Sequence, residues 1–315
     1  LEFIPLRIAL LILTVLPILL PLACQKNYSL ATLPAQQATA TSTPTNLNGW
    51  TSTATPTVTA TASPTVTPNP RLYLALGDSV SYGTDASSVS VCFVNLLFQN
   101  DGAVYPADAG QDLSTKYPGV QLLNLAIPGA TSLNIINNEM PSVPQGALSP
   151  NFVTLLIGGN ELIDTCSGTP CDGGVFGCTL AQGTAWSYNF KSRLETQIVD
   201  VLKNAALYPR VQKIVLANIY DPTDGVGLAG YGWPAGAGVL AQYNARIAEV
   251  ATDTGSGLVD DFTLFLGHGI EYNNPSNAYY DSASPTFWYT SASPMPIHPD
   301  DLGYYQLYKL FWPNF

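Results

Sequence analysis

LYLALGDSVSYG, residues 72–83, opens with five consecutive apolar residues, breaks at Gly77 and continues through Asp78 and Ser79 into a shorter mixed stretch. A near-continuous apolar run of this length suits a strand buried on both faces of a parallel sheet. Three more such runs follow, VQLLNLAI (120–127), FVTLLI (152–157) and VQKIVLANI (211–219), with a shorter GLVDDF (257–262) after them. Between the runs lie helical patterns. Trp186, Phe190, Leu194, Ile198 and Leu202 recur at a spacing of four within 186–207, and a second helix is predicted over about 238–253. Alternating strand and helix predicts an α/β class with right-handed crossovers. In open sheets of this kind ligands bind beyond the carboxyl ends of the strands, so functional residues are expected just after each apolar run.

Those positions carry Gly77-Asp78-Ser79, Pro128-Gly129-Ala130-Thr131 and Gly158-Gly159-Asn160-Glu161, with Ile297-His298-Pro299 near the C-terminus. A serine hydroxyl becomes a good nucleophile only when a neighbouring base takes its proton, and histidine has the suitable pKa. Ser79, between a strand and a helix start, is placed near a positive helix end. A tetrahedral intermediate also needs donors aimed at its oxyanion. The backbone N–H groups of Ser79 and Gly129 and the side-chain amide of Asn160 can supply them, each such donor being worth about 3 kcal/mol of barrier.

In order along the chain, LALGDSVSYG (74–83), NLAIPGATS (124–132), IGGNE (157–161) and IHPDDLGY (297–304) resemble the blocks of the SGNH, or GDSL, family of serine ester hydrolases. The resemblance implies a flavodoxin-like three-layer α/β/α sandwich with a central, mostly parallel sheet of about five strands. It also implies Ser79 as nucleophile, His298 as base, an oxyanion hole of Ser79, Gly129 and Asn160, and neither cofactor nor metal. The insert 164–183, with three cysteines, and the Gly-rich loop 221–238 are expected to border the pocket. His268 is expected to be structural or exposed, Asp300 to N-cap the terminal helix, and the C-terminal aromatic cluster to pack that helix on the core. GVGLAG (225–230) satisfies a dinucleotide-binding spacing but does not lead directly into an apolar helix.

Two positions depart from the family. Its last block usually has Asp three residues before the histidine, where this chain has Met295. The expectation is a Ser79–His298 dyad with the imidazole held by a main-chain carbonyl at Met295. Asp260, Asp261 and Asp281 are the alternative acids, and a carbohydrate-binding or surface interaction protein on a degenerate scaffold is the alternative function. Glu161 replaces the Asp that often follows Asn in the third block, a milder change expected to alter how Asn160 is held.

The 315 residues divide unevenly in charge. Residues 1–70 carry only Glu2, Arg7 and Lys26, leaving nine basic and 21 acidic residues for 71–315. A basic stripe able to neutralise phosphates has little to be built from, which argues against nucleic acid as a partner. Residues 1–24 end in a 16-residue apolar run and LPLAC, read as an export or lipoprotein signal with Cys24 lipidated, a membrane partner if retained. Residues 25–70, rich in Thr, Pro, Ala and Ser, read as a disordered linker, and 71–315 as the hydrolase domain. Cys92, Cys166, Cys171 and Cys178 then suit two disulfides in an oxidising compartment, that is, a secreted or envelope-anchored bacterial protein. Lipids, small esters and acylated polysaccharides are all admissible substrates.

Overall fold

Strand side chains alternate between two cores. Leu74, Leu76, Val153, Leu155, Ile214 and Leu216 enter one, while Tyr73, Ala75, Phe152, Leu156, Val215 and Ala217 enter the other. This period of two, with both faces covered, is the reason the runs contain so few polar residues. A computed structural model describes residues 70–100, 102–163, 180–226, 233–290 and 296–315, with 233–237 described by backbone alone. The expected signal with Cys24, the linker, Met295, residues 164–179 of the insert and 227–232 of the Gly-rich loop lie outside the described residues.

The strands are β1 (Leu72–Gly77), β2 (Gln121–Asn124), β3 (Phe152–Leu156), β4 (Lys213–Ala217) and β5 (Gly257–Val259). They form one sheet in the order β2-β1-β3-β4-β5, every pairing parallel. That is the flavodoxin-like order, whose switch point lies between β1 and β3. Ser79 and Asn160 follow those two strands and flank the crevice between them. The three-layer α/β/α expectation is therefore met. β2 is shorter than the predicted 120–127, although the Leu125 and Ile127 N–H groups still donate to the Ala75 and Gly77 carbonyls at 2.9 and 3.0 Å. The Gly77 N–H is taken by Glu139, and the Asn124 side chain bonds the Ala126 N–H and the Ser81 carbonyl.

The helices used below are α1 (Ser79–Tyr82), α2 (Phe93–Phe98), α3 (Gly159–Ile163), α4 (Leu180–Ser192), α5 (Trp233–Thr254), α6 (Asp261–Phe265) and α7 (Asp301–Phe311). α4 runs on through a π-helical segment, Arg193–Val199, into Asp200–Lys203. A strict spacing of four would drift round an α-helix of 3.6 residues per turn. The wider π turns take up the excess, so Phe190, Leu194, Ile198 and Leu202 all stay in one core. On the other face, α2 and α7 pack together through stacked Phe93 and Phe311 rings, 5.1 Å apart. Asp300 caps α7 by accepting from the Gly303 N–H at 2.8 Å. The C-terminal aromatics Tyr304, Tyr308 and Phe311 are buried core residues.

Gly77 closes β1 against β3 at a φ of +140°, and a Cβ there would lie 2.2 Å from the Leu156 carbonyl oxygen. Both the conformation and the contact require glycine. Gly77→Ala is expected to lower the unfolding free energy by about 2 kcal/mol or more, measured by urea denaturation. A change within a few tenths would show that the turn relaxes freely.

Candidate active site

The first turn of α1 follows directly from β1. Asp78 is its N-cap, its carboxylate accepting from the Val80 N–H at 3.0 Å, and Ser79 is the first helical residue. After Gly83 ends this single turn, the Thr84 N–H returns to the Ser79 carbonyl at 2.9 Å, and the Tyr304 hydroxyl donates to the Thr84 carbonyl at 2.6 Å. The next residue, Asp85, sits at a φ of +65°. Asp tolerates that region better than most side chains, and such strain concentrates at functional sites.

From the C-terminal side, the chain bearing His298 is tied down by the Tyr289–Pro299 bridge and by the Tyr220 hydroxyl, which donates to the Ile297 carbonyl at 2.5 Å. His298 Nε2 lies 2.9 Å from Ser79 Oγ, and Nδ1 lies 2.9 Å from Asp85 Oδ2. Hydroxyl, imidazole and carboxylate thus form one line of hydrogen bonds. The His298 and Asp85 side chains are 18% and 27% exposed, so this line runs from a nearly buried serine toward solvent.

The acid position is where the sequence-based expectations need correcting. Asp260 accepts from Asn218 Nδ2 at 2.7 Å and from the Thr263 N–H at 3.1 Å, which makes it the N-cap of α6. Asp261 is wholly buried in the first turn of α6, with no hydrogen-bond partner on either oxygen among the described residues. Asp281 accepts from the Ala283 N–H at 2.8 Å within a local turn. His298 Nδ1 is engaged by Asp85, while Met295, whose carbonyl is the partner expected from sequence, lies outside the described residues. Asp85 escaped the sequence reading because it lies only six residues after Ser79. Gly83, a turn signal just before it, was the available hint.

Asn160 Nδ2 donates to the Ala130 carbonyl at 2.9 Å and lies 3.5 Å from Asp78 Oδ2. The first contact fixes the amide. The second, longer contact turns the amide toward Asp78, and Asn160 lines the cleft beside Ser79. Gly129, in the loop after β2, is solvent-exposed at a φ of +80°, a conformation that suits glycine. Glu161 is buried and accepts from the Ser132 N–H at 2.5 Å, while Arg193 Nε donates to Ser132 Oγ at 2.8 Å. Glu161 therefore braces the loop after β2; it does not hold the side chain of Asn160. Glu139, not singled out from sequence, is buried and accepts from the Gly77 N–H at 3.0 Å. His268 is structural: its ring stacks on Trp288 at 3.4 Å and its Nδ1 is 2.9 Å from the Thr286 carbonyl. Among the described residues no group of His, Cys, Asp or Glu is arranged to hold a metal ion.

Residues 75–306 match the GDSL-like lipase/acylhydrolase family. No curated protein sequence matches the chain. Among solved structures, an extracellular lipase from Streptomyces rimosus is similar at 19% identity and a TM-score of 0.52, covering 78% of this chain and 100% of that one. A phospholipase A1 from Streptomyces albidoflavus is 21% identical over 78% of this chain and 100% of its own, at a TM-score of 0.48. An acetylxylan esterase from Geobacillus stearothermophilus is 19% identical over 78% of this chain and 94% of its own, at a TM-score of 0.46.

The carboxyls behind the site also set a pH dependence. Burial raises Glu139 to about 8, against the pull of the Gly77 N–H, and raises Asp78 to about 7, against that of Val80. Burial raises Glu161 as well, opposed by its bonds to Ser132 and by Arg193. A raised carboxyl binds more protons folded than unfolded, so its stabilisation is complete below its unfolded pKa and is lost as pH rises through its folded pKa. Glu139→Gln keeps an acceptor for Gly77 and removes one titration. Between about pH 5 and pH 8 the variant should lose stability less steeply, by roughly one proton in the slope. Urea unfolding across that range checks this, and parallel curves would contradict it.

Proposed function

The chain belongs to the GDSL-like lipase/acylhydrolase family, and on that premise we propose that it hydrolyses carboxylic esters through an acyl-enzyme on Ser79, with His298 and Asp85 completing a triad. The observation that carries the reading is the unbroken pair of 2.9 Å contacts from Ser79 Oγ through His298 to Asp85.

Ser79 Oγ attacks the ester carbonyl carbon as its proton passes to His298 Nε2. The carbonyl oxygen becomes an oxyanion facing the N–H groups of Ser79 and Gly129 and the Asn160 amide. Collapse breaks the bond to the alcohol oxygen, which takes the proton from His298. Water then repeats the sequence on the acyl-enzyme and restores the serine. Throughout, Asp85 accepts from the His298 Nδ1–H, keeps that tautomer aimed away from Ser79 and stabilises the imidazolium. This contact supports catalysis over the alternative of a non-catalytic carbohydrate binder, which rested on the absence of an acid before His298.

Export is part of the same reading. The apolar leader ending at Cys24 and the Thr/Pro-rich stretch to residue 70 support a secreted or envelope-tethered enzyme, and Cys92 is disulfide-bonded, which fits an oxidising compartment. Among the described residues no helix is long and apolar enough to cross a membrane.

Ser79→Ala is expected to abolish hydrolysis of p-nitrophenyl esters and labelling by a fluorophosphonate probe; unchanged turnover of the purified variant would sink the assignment. Asp85→Ala should lower kcat by roughly 10³ to 10⁴ with the fold intact by circular dichroism, while Asp281→Asn stays near wild type. Equal activity in the two variants would return the acid to another residue.

A further inference from the structure

Ser79, Asn160 and His298 line a cleft that continues past the catalytic line toward the end of β4. Its remaining wall is mainly apolar, with Leu162 and Ile163 of α3, Ile219 and Pro222 after β4, and Ile297 beside the polar Asp78 and Thr223. The two sides of the site differ in exposure. His298 and Asp85 reach solvent at 18% and 27%, whereas on the apolar wall Leu162 and Ile219 are buried at 2% and 8% and Ile163, Pro222 and Ile297 are half-buried.

The chemistry assigns the two arms of the ester to these sides. The alcohol must leave past His298, and a water must enter there to be activated by the same nitrogen, so that side has to stay open. The acyl group remains bonded to Ser79 Oγ through both steps, so an apolar wall beside the serine can hold it from attack to release. Resting on the triad reading above, we infer that this cleft is the acyl-chain site and that it selects short aliphatic acyl groups, with butanoyl the best fit.

Size sets the length. The cleft has a volume of about 70 Å³. A dry cavity of about 150 Å³ takes the six carbons of benzene, which scales to roughly three carbons here. Acetyl places one carbon beyond the carbonyl and leaves the cleft underfilled. Butanoyl places three. A palmitoyl chain must lie mostly outside and gains nothing further from this wall. An acetylated sugar would set only its methyl group against it. At the usual hydrophobic gain per buried methylene, each added carbon is worth roughly fourfold, so butanoyl should exceed acetyl by roughly fifteenfold in kcat/KM.

The test is kcat/KM of the purified protein on p-nitrophenyl acetate, butyrate, octanoate and palmitate, which share one leaving group and vary only the acyl arm. The expected profile rises about fifteenfold from acetate to butyrate and does not rise further to palmitate. Acetate equal to or above butyrate, or a steady climb to palmitate, would overturn the inference while leaving the hydrolase reading standing. Turnover of none of the esters would overturn both. Two controls locate the effect. Ile163→Trp, which fills the cleft from a partly exposed position, should lower the butyrate-to-acetate ratio at least fivefold; an unchanged ratio would contradict the assignment. Ethyl and butyl acetate should be hydrolysed at similar kcat/KM, and a marked preference for butyl acetate would place the cleft on the alcohol side instead.

Discussion

Buried carboxyl groups that accept backbone N–H bonds hold the active-site loops to the sheet. Glu139 takes the Gly77 amide, Asp78 the Val80 amide and Glu161 the Ser132 amide. Gly77 and Val80 bracket Ser79, and Ser132 lies three residues beyond Gly129. Each of these amides would otherwise be a buried donor without a partner, costing about 1–3 kcal/mol. The same burial raises the pKa of all three acids. Glu139, raised to about 8, still accepts its bond when protonated and then places less negative charge behind an oxyanion than a carboxylate would. The arrangement therefore serves both the rigidity and the electrostatics that preorganised catalysis requires.

The frame for these loops is the parallel sheet. With all five strands parallel, their carboxyl ends share one edge, and Ser79, Gly129 and Asn160 are delivered there from β1, β2 and β3. His298 comes from a separate part of the chain, held by the Tyr289–Pro299 bridge and the Tyr220 hydroxyl. Asp85 reaches the same point by a local route, one helical turn and a sharp return after the nucleophile. Ser79 and Asp85 thus ride on one short segment, so what the fold must align over long range is chiefly the imidazole between them.

Much of this was legible in the sequence because its cause is local. Five apolar runs marked five strands, since a doubly covered strand must be apolar on both faces. The residues after the first three runs stood out as a set: singly, glycine, serine and asparagine are ordinary turn and cap residues, but together at successive strand ends they fall where an open parallel sheet binds ligands. Other parts were not legible. The contact of Asp85 with His298 spans 213 positions, and its backbone at a φ of +65° is not encoded by any strong propensity. Glu139 and Glu161 look like ordinary surface acids until tertiary packing encloses them. The expectation of a dyad through Met295 came from comparing one position with a family pattern. Physically, the imidazole needs an acceptor at Nδ1, from whatever direction, and the turn after Gly83 supplies it.

The central claim, that Asp85 holds His298 in the tautomer that leaves Nε2 free for the Ser79 proton, is tested most directly by nitrogen NMR of isotopically labelled histidine in the resting protein. The account predicts His298 with Nδ1 protonated and Nε2 bare, and a loss of that preference in Asp85→Asn with the rest of the spectrum preserved. A wild-type His298 protonated at Nε2, or a tautomer unchanged when Asp85 is replaced, would contradict it.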